Sequence, residues 1–248
     1  RNFFFFFQLE MAGNDTHRLR YGMIETPEKY YLEWKEELNH VEGHKLDYHL
    51  GRMCNKQRFL QIIHDFIVFD AGVKKTCRHN QFFGIEAAKQ RIAKREGGII
   101  WHTQGSGKSL TMVWLAKWIR ENVSDSRVLI VTDRTELDEQ IEKVFTGVEE
   151  EIYRTKSGVD LVATLNQPTP WLMCSLVHKF GRSSDADDDA ATNEFIEQLK
   201  QSMPKDFKAK GNVFVFVDEC HRTQSGKLHE AMKAILPEAM FIGFTGTP

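Results

Sequence analysis

The segment at residues 101–109 has the residue types needed to hold the phosphate groups of a nucleotide. It reads Trp-His-Thr-Gln-Gly-Ser-Gly-Lys-Ser. Its glycines let successive backbone N–H groups point into one concavity, because no Cβ stands in the way. Lys108 would reach the β- and γ-phosphates, and the Ser109 hydroxyl would ligate Mg²⁺. The residues predicted to bind the nucleotide are Thr103, Gln104, Gly105, Ser106, Gly107, Lys108 and Ser109.

This phosphate loop departs from the usual pattern at one position. GxxxxGK[S/T] has a glycine five positions before its second glycine, and His102 stands there. A chance Gly-Ser-Gly turn that caps a helix is the alternative interpretation. An apolar strand pattern before the loop and a helix pattern after it favour phosphate binding, since the helix N-terminus adds positive potential.

An acidic pair follows a second strand pattern further along the chain. Residues 213–217 are almost all β-branched or aromatic, and they lead directly into Asp218 and Glu219. Asp218 would hold Mg²⁺, usually through water, and Glu219 would orient and deprotonate an attacking water. Alone, such a pair is also a common helix cap. Its combination with the phosphate loop favours nucleotide hydrolysis.

Short apolar strands alternate with helices from about residue 80 onwards. This alternation is typical of a parallel sheet covered on both faces, and it predicts a three-layer α/β domain. The predicted strands are residues 97–101, 127–132, 171–175, 213–217 and 239–244, and the predicted helices are 109–122 and 136–144.

The first seventy-five residues have a different texture. Tyr30, Tyr31, Trp34 and Leu38 recur at helical spacing and predict a helix over residues 27–38. An apolar stripe predicts a second helix over residues 56–72. The aromatic run at residues 3–7 has the pattern of a buried strand.

Composition leaves the partner open and favours a reducing compartment. The 248 residues carry 33 Lys plus Arg against 35 Asp plus Glu, so any basic surface for nucleic acid must be local. Four scattered cysteines without metal-ligand spacing suit the cytoplasm. No apolar run approaches the roughly 18 residues of a membrane helix, so no membrane contact is expected.

Several motifs, in order, resemble those of superfamily 2 helicases and translocases. Asp-Glu-Cys-His at 218–221 resembles the DExH form of motif II, and Phe-Thr-Gly-Thr-Pro at 244–248 resembles motif III. Val-Thr-Asp-Arg at 131–134 stands where motif Ia contacts the strand backbone. Arg-His-Asn-Gln at 78–81 resembles the upstream motif whose glutamine, here Gln81, reads adenine.

A closer resemblance is to the R (restriction) subunit of type I restriction enzymes. That family tends to read Trp-His-x-x-Gly-Ser-Gly-Lys-Ser, as here, and Asp-Glu-Cys-His-Arg-Thr-Gln-Ser-Gly at 218–226 also resembles it. The resemblance implies a RecA-like three-layer domain at 76–248, the first of two, preceded at 1–75 by a short α/β linker after a nuclease domain. No convincing nuclease site is present, and the second RecA-like domain is expected after residue 248.

The resemblance also implies cofactors, partners and further site residues. ATP and Mg²⁺ are the expected cofactors, with Ser109 and Asp218 on the metal. The expected partners are double-stranded DNA and the methyltransferase and specificity subunits. Residues expected to contact DNA or couple it to ATP are Arg134, His221, Thr245 and Thr247. For Arg134, an ordinary surface charge is an equally good interpretation.

Two other functions fit parts of the same pattern. A stand-alone superfamily 2 helicase would separate the strands of naked duplex without other subunits. A nucleotide-dependent interaction module would bind ATP as a switch without turnover. Glu219 argues against the switch, because a protein that only binds nucleotide has no use for a general base.

Overall fold

The computed structural model describes residues 9–16, 18–36, 43–103, 105–132, 135–176, 188–218, 220 and 223–247. The chain divides into two compact units, residues 1–86 and 87–248. The boundary falls within helix α3, His79–Ala93. The boundary predicted from the sequence, between a linker at 1–75 and a RecA-like domain at 76–248, stays a prediction.

The first unit combines two small antiparallel sheets with helices. Strands β1 (Glu10–Asn14), β2 (Arg18–Gly22) and β3 (Leu32–Glu33) form a three-stranded sheet, with a short 3₁₀ turn at Glu28–Tyr30. Helices α1 (Lys45–Met53) and α2 (Lys56–Asp65) follow, and then the hairpin β4 (Ile67–Asp70) and β5 (Val73–Thr76). This unit ends in the first half of α3.

Both helices predicted in this region need correction. The helix expected over residues 27–38 is wrong, because residues 28–30 form the 3₁₀ turn and residues 32–33 form β3. The helix expected over 56–72 ends at Asp65, and β4 begins two residues later. The strand expected at residues 3–7 lies outside the described residues.

Aromatic packing explains why the spacing around Trp34 does not produce a helix. The Trp34 ring is fully buried, with its centroid 5.9 Å from that of Tyr21 and 5.5 Å from that of Phe82. Its indole N–H donates to Glu36 at 3.1 Å, and the same carboxylate accepts Arg58 at 2.8 Å. Burying these large rings outweighs weak local helix propensity.

The second unit is built on one parallel sheet of six strands. Their order across the sheet is β6-β11-β10-β7-β9-β8, and every described pair is parallel. The strands are β6 (Gly98–Trp101), β7 (Ser126–Thr132), β8 (Tyr153–Arg154), β9 (Leu172–Leu176), β10 (Asn212–Asp218) and β11 (Met240–Thr245). The helices are α4 (Lys108–Asn122), α5 (Thr135–Gly147), α6 (Gly158–Leu165), α7 (Asp188–Ser202) and α8 (Thr223–Ile235).

Helices cover both faces of this sheet. One face packs against α6, α7 and α8, and its buried core includes Leu129, Val131, Val215, Leu161, Leu199 and Met232. The alternate residues of the central strands point the other way, towards the face where α4 and α5 contact β7. Phe214 and Phe216 are buried there. The three-layer α/β prediction is confirmed.

The helices were also compared with the requirements of a membrane span. None that the structure describes combines the length and the apolar character of a membrane span.

Candidate active site

The carboxyl ends of three neighbouring strands meet at one edge of the sheet. Trp101, the last residue of β6, lies opposite Thr245 of β11, and Asp218, the last residue of β10, lies opposite Phe244. Since β11 separates β6 from β10, the ends of those two strands are roughly 10 Å apart, about twice the usual strand spacing. The phosphate loop and the acidic pair therefore leave the sheet at the same edge.

The loop after β6 has the backbone shape that its glycines predict. Gly105 and Gly107 have φ angles of 77° and 87°, in the left-handed region that side chains disfavour. Helix α4 then begins at Lys108, and Gly107 at its N-cap supplies no side-chain cap. Thr111 fixes the first turn by donating its N–H and its hydroxyl to the Gly107 carbonyl, at 3.1 and 3.2 Å. The positive end of the helix dipole thus faces the loop.

A buried hydroxyl in this loop fits a bound phosphate. The N–H of Ser106 donates to the Thr103 carbonyl at 3.1 Å, and the residue is only 7% exposed. Within the described residues, the Ser106 hydroxyl has no hydrogen-bond partner. Leaving such a group unpaired costs about 1–3 kcal/mol, and a phosphate oxygen would accept its hydrogen bond. Gln104 lies outside the described residues.

Asp218 is a buried carboxylate at the end of β10. It is 5% exposed. No group of three His, Cys, Asp or Glu that could hold a metal occurs among the described residues. A magnesium site here would therefore combine Asp218 with the Ser109 hydroxyl, phosphate oxygens and water, as Mg²⁺ sites on nucleotides commonly do. Glu219 lies outside the described residues.

Cys220 joins the acidic motif to β11. Its N–H donates to the Phe244 carbonyl at 3.2 Å. A Cβ placed on Gly243 would lie 2.6 Å from the Cys220 sulfur, closer than real Cβ atoms come. Glycine at 243 therefore lets the chain after Asp218 lie directly against β11.

A tight turn follows β11 and touches the phosphate-loop segment. The Thr245 hydroxyl donates to the Thr247 carbonyl at 2.7 Å and accepts the Thr247 N–H at 3.2 Å. The N–H of His102 donates to the Thr245 carbonyl at 2.9 Å. The structure thus brings Thr245 and Thr247, two of the predicted coupling residues, next to the start of the loop.

The remaining predicted site residues are Gln81, Arg134 and His221. Gln81 belongs to the first compact unit, where it is buried and its side-chain oxygen accepts the N–H of Arg78 at 2.8 Å. This is the reciprocal half of a capping box at the start of α3. Its adenine-reading role stays a prediction. Arg134 and His221 lie outside the described residues, so their roles stay predictions too.

A cavity of about 570 Å³ lies on the α8 side of the sheet. Its described lining includes Ile99, Phe241 and His229, together with Cys220 of the acidic motif. Burial lowers the pKa of His229, and the nearby Lys233 lowers it further.

The second unit matches a known protein family. The model of the SWI2/SNF2 ATPase family matches residues 80–248, more than half of the chain. The chain belongs to the SWI2/SNF2 ATPase family. The matched region contains the phosphate loop, the acidic motif and the turn after β11. An ATPase domain implies nucleotide binding, which agrees with the expectation that the cofactor is a nucleotide.

The relatives of this SWI2/SNF2 domain confirm the resemblance to R subunits. The putative type I restriction enzyme MjaIXP endonuclease subunit of Methanocaldococcus jannaschii is 30% identical over 82% of this chain and 19% of its own length. The type I restriction enzyme HindI endonuclease subunit of Haemophilus influenzae is 27% identical over 92% of this chain and 24% of its own length. This chain therefore spans less than a quarter of either relative.

Solved structures support the RecA-like fold of this SWI2/SNF2 domain. The UvsW helicase from bacteriophage T4 matches with a TM-score of 0.52 and 15% identity, over 78% of this chain and 60% of its own. A nuclease-deletion mutant of the type ISP restriction-modification enzyme LlaGI, in complex with a DNA substrate mimic, matches with a TM-score of 0.50 and 15% identity. That match covers 70% of this chain and 18% of LlaGI. At this identity the likeness concerns the fold alone.

Two residues of this SWI2/SNF2 domain to which the sequence assigned no role make side-chain hydrogen bonds to the backbone. Trp101 is 57% exposed, and its indole N–H donates to the Gly246 carbonyl at 3.4 Å. Arg127 is only 1% exposed, at the start of β7, and its guanidinium donates to four backbone carbonyls. A single aromatic or basic residue beside a strand pattern does not show in the sequence which backbone carbonyls its side chain will bind.

Proposed function

We propose that this chain is the ATP-binding and ATP-hydrolysing motor part of a type I restriction endonuclease R subunit. In the complete protein, hydrolysis would drive translocation along double-stranded DNA before cleavage. One observation carries the proposal: β6, β11 and β10 end side by side, so the phosphate loop and Asp218 leave the same edge of the sheet.

Each part of the site has a role in this mechanism. The loop at 103–109 binds the phosphates through backbone N–H groups, and Lys108 neutralises charge on the β- and γ-phosphates. Ser109 and Asp218 would hold Mg²⁺, which would supply positive charge to stabilise the charge that develops on the phosphates. Glu219 orients water for attack on the γ-phosphate and accepts its proton. Gln81 would read adenine.

The partners in this proposal come from the relatives. Their names describe endonuclease subunits of type I restriction enzymes, and LlaGI was solved with a DNA substrate mimic. We infer that double-stranded DNA passes over the end of the sheet and that methyltransferase and specificity subunits supply target recognition. The same assignment places the protein in the cytoplasm. Arg134 and His221 would contact DNA or transmit its presence.

Replacing Lys108 with alanine tests the phosphate loop. Loss of a charged hydrogen bond of about 1.5–3 kcal/mol should weaken Mg-ATP binding by roughly 10- to 150-fold. Calorimetry on the 248-residue chain measures the dissociation constant. Lys117→Ala is the matched control, because Lys117 lies in the same helix but pairs with Glu150 at 3.8 Å. Equal affinity of wild type and Lys108→Ala would overturn the assignment.

Replacing Glu219 with glutamine separates a motor from a nucleotide-dependent switch. Glutamine can position water but cannot accept its proton, so DNA-stimulated hydrolysis by the full-length protein should fall by about 10²–10⁴-fold. Mg-ATP binding should persist. A switch would show no hydrolysis to lose and would keep its partner binding. A stand-alone helicase would instead separate naked duplex DNA in the absence of the other restriction subunits.

A further inference from the structure

The exposed indole of Trp101 is unusual for so large an apolar side chain. Trp101 is 57% exposed, and Ile99 on the same face of β6 is 69% exposed. An indole combines a large apolar ring with an N–H that can donate a hydrogen bond. The N–H of Trp101 donates to the Gly246 carbonyl, 3.4 Å away on the turn that follows β11.

This contact supplements a backbone link between the same two segments. The N–H of His102 donates to the Thr245 carbonyl at 2.9 Å, and the Thr245 hydroxyl closes the turn onto Thr247. The backbone bond exists whatever the side chains are. The indole bond is longer, lies at the surface and depends on tryptophan. It is therefore the bond that a small movement of either segment would break or form.

The position of Trp101 connects it to the nucleotide site. Only three residues separate it from Gly105, where the left-handed loop backbone begins. A phosphate that moved the loop N–H groups inwards would shift this short segment and the end of β6 with it. The indole would then alter its contact with Gly246.

We propose that Trp101 is a positioning residue that transmits the nucleotide state of the phosphate loop to the Thr245–Thr247 turn. The inference rests on the proposed function, because it requires Mg-ATP on the loop. It adds a side chain through which the turn senses that ligand. Trp101 touches no reacting atom.

Hydrogen exchange on the 248-residue chain, with and without Mg-ATP, tests this role. The variant Trp101→Phe keeps an aromatic ring and removes the N–H. In wild type, nucleotide should raise protection both at residues 105–109 and at residues 245–247. One hydrogen bond corresponds to a change of about fivefold. In Trp101→Phe the loop response should remain, with Mg-ATP affinity within about twofold, and the turn response should be lost.

The control is Trp118→Phe, on the outer part of α4, where Lys89 lies 5.2 Å from the ring centroid. It should keep both responses, and protection of β10 in every variant reports folding. Equal turn responses in wild type and Trp101→Phe would overturn the role of Trp101 alone. A loop response in wild type without a turn response would do the same. No loop response in wild type would refute ATP binding, and with it both proposals.

Discussion

At the scale of single residues, Arg127 shows how a buried cation can connect loops through their backbone carbonyls. Its guanidinium donates to the carbonyls of Thr164 and Leu165 at 3.0 Å, of Pro170 at 3.1 Å and of Lys210 at 3.2 Å. The first two lie at the carboxyl end of α6, where helix carbonyls carry negative potential. Burial lowers the pKa of Arg127, and the charge of Asp125 opposes that shift.

Arg127→Lys should therefore destabilise the second unit although it keeps the charge. An ammonium group cannot reach carbonyls on three segments at once, so buried acceptors lose partners at about 1–3 kcal/mol each. We expect the free energy of unfolding to fall by roughly 2–4 kcal/mol in urea titrations. Arg120→Lys is the control, because that side chain is half exposed and pairs with Glu150. Equal losses in both variants would contradict the role of Arg127.

The positions of the candidate site residues followed from the sequence more readily than the residues that hold the surrounding loops. Gly107 and Lys108 could be placed from sequence because a phosphate loop needs specific residue types at fixed spacing. Asp218 followed from its position after an apolar strand. Arg127 could not be found in this way, because its partners are backbone carbonyls that any residue supplies. Their convergence depends on tertiary structure.

At the scale of elements, the chain after β10 packs directly against β11 at Cys220. The Cys220 sulfur lies 2.6 Å from the position that a Cβ on residue 243 would take. The Cys220 N–H donates to the Phe244 carbonyl, so the side chain has little freedom to move away. Cys220 and β11 therefore constrain each other two residues after Asp218.

Gly243→Ala should disturb this packing, and a second substitution should relieve it. Overpacking costs about 1–3 kcal/mol. We expect that loss in Gly243→Ala, and most of it should return in the double variant Cys220→Ala/Gly243→Ala. The melting temperatures and unfolding free energies of wild type, Gly243→Ala, Cys220→Ala and the double variant give the coupling. Gly51→Ala is the control, since a Cβ there meets nothing within 4 Å. No recovery in the double variant would place the strain elsewhere.

The two units also differ in how well their elements follow from sequence. Strands β7 and β10 carry continuous apolar runs because a parallel sheet is buried on both faces, and such runs are easily recognised. Strand β8 has only two residues, Tyr153 and Arg154, and leaves no pattern. In the first unit, Trp34 occurs at helical spacing yet packs between Tyr21 and Phe82. Only the tertiary contacts distinguish this arrangement from a helix.

At the scale of the whole molecule, a buried and a half-buried histidine should make the first unit sensitive to acid. His49 is fully buried, and neither ring nitrogen has a hydrogen-bond partner among the described residues. Burial lowers the pKa of His49 first, and Arg18 lowers it further, against Glu36 and Glu33. Burial also lowers the pKa of His79. Because the unfolded chain binds these protons more readily, stability should fall as pH drops below about 6.5.

An exposed pair in the same unit acts in the opposite direction. His44 is hydrogen-bonded to Asp15, and that bond raises the pKa of His44. Its contribution is present below about pH 6.5 and disappears as pH rises through the higher folded value. The pair is exposed and its interaction is screened by solvent, so His49 and His79 should dominate the pH dependence of stability.

His49→Phe should therefore remove much of the acid sensitivity of the first unit. The variant keeps a planar ring in the buried site and cannot take up a proton. Protection factors for first-unit amides at pH 7.5 and 5.5, corrected for intrinsic exchange, resolve this unit from the second, where His229 titrates separately. Wild type should lose protection at pH 5.5, and His49→Phe should lose less. His44→Gln should lose more, because it removes the opposing pair. If wild type and His49→Phe lose the same protection between pH 7.5 and 5.5, protonation of the buried His49 ring has no cost in stability, and the prediction is wrong.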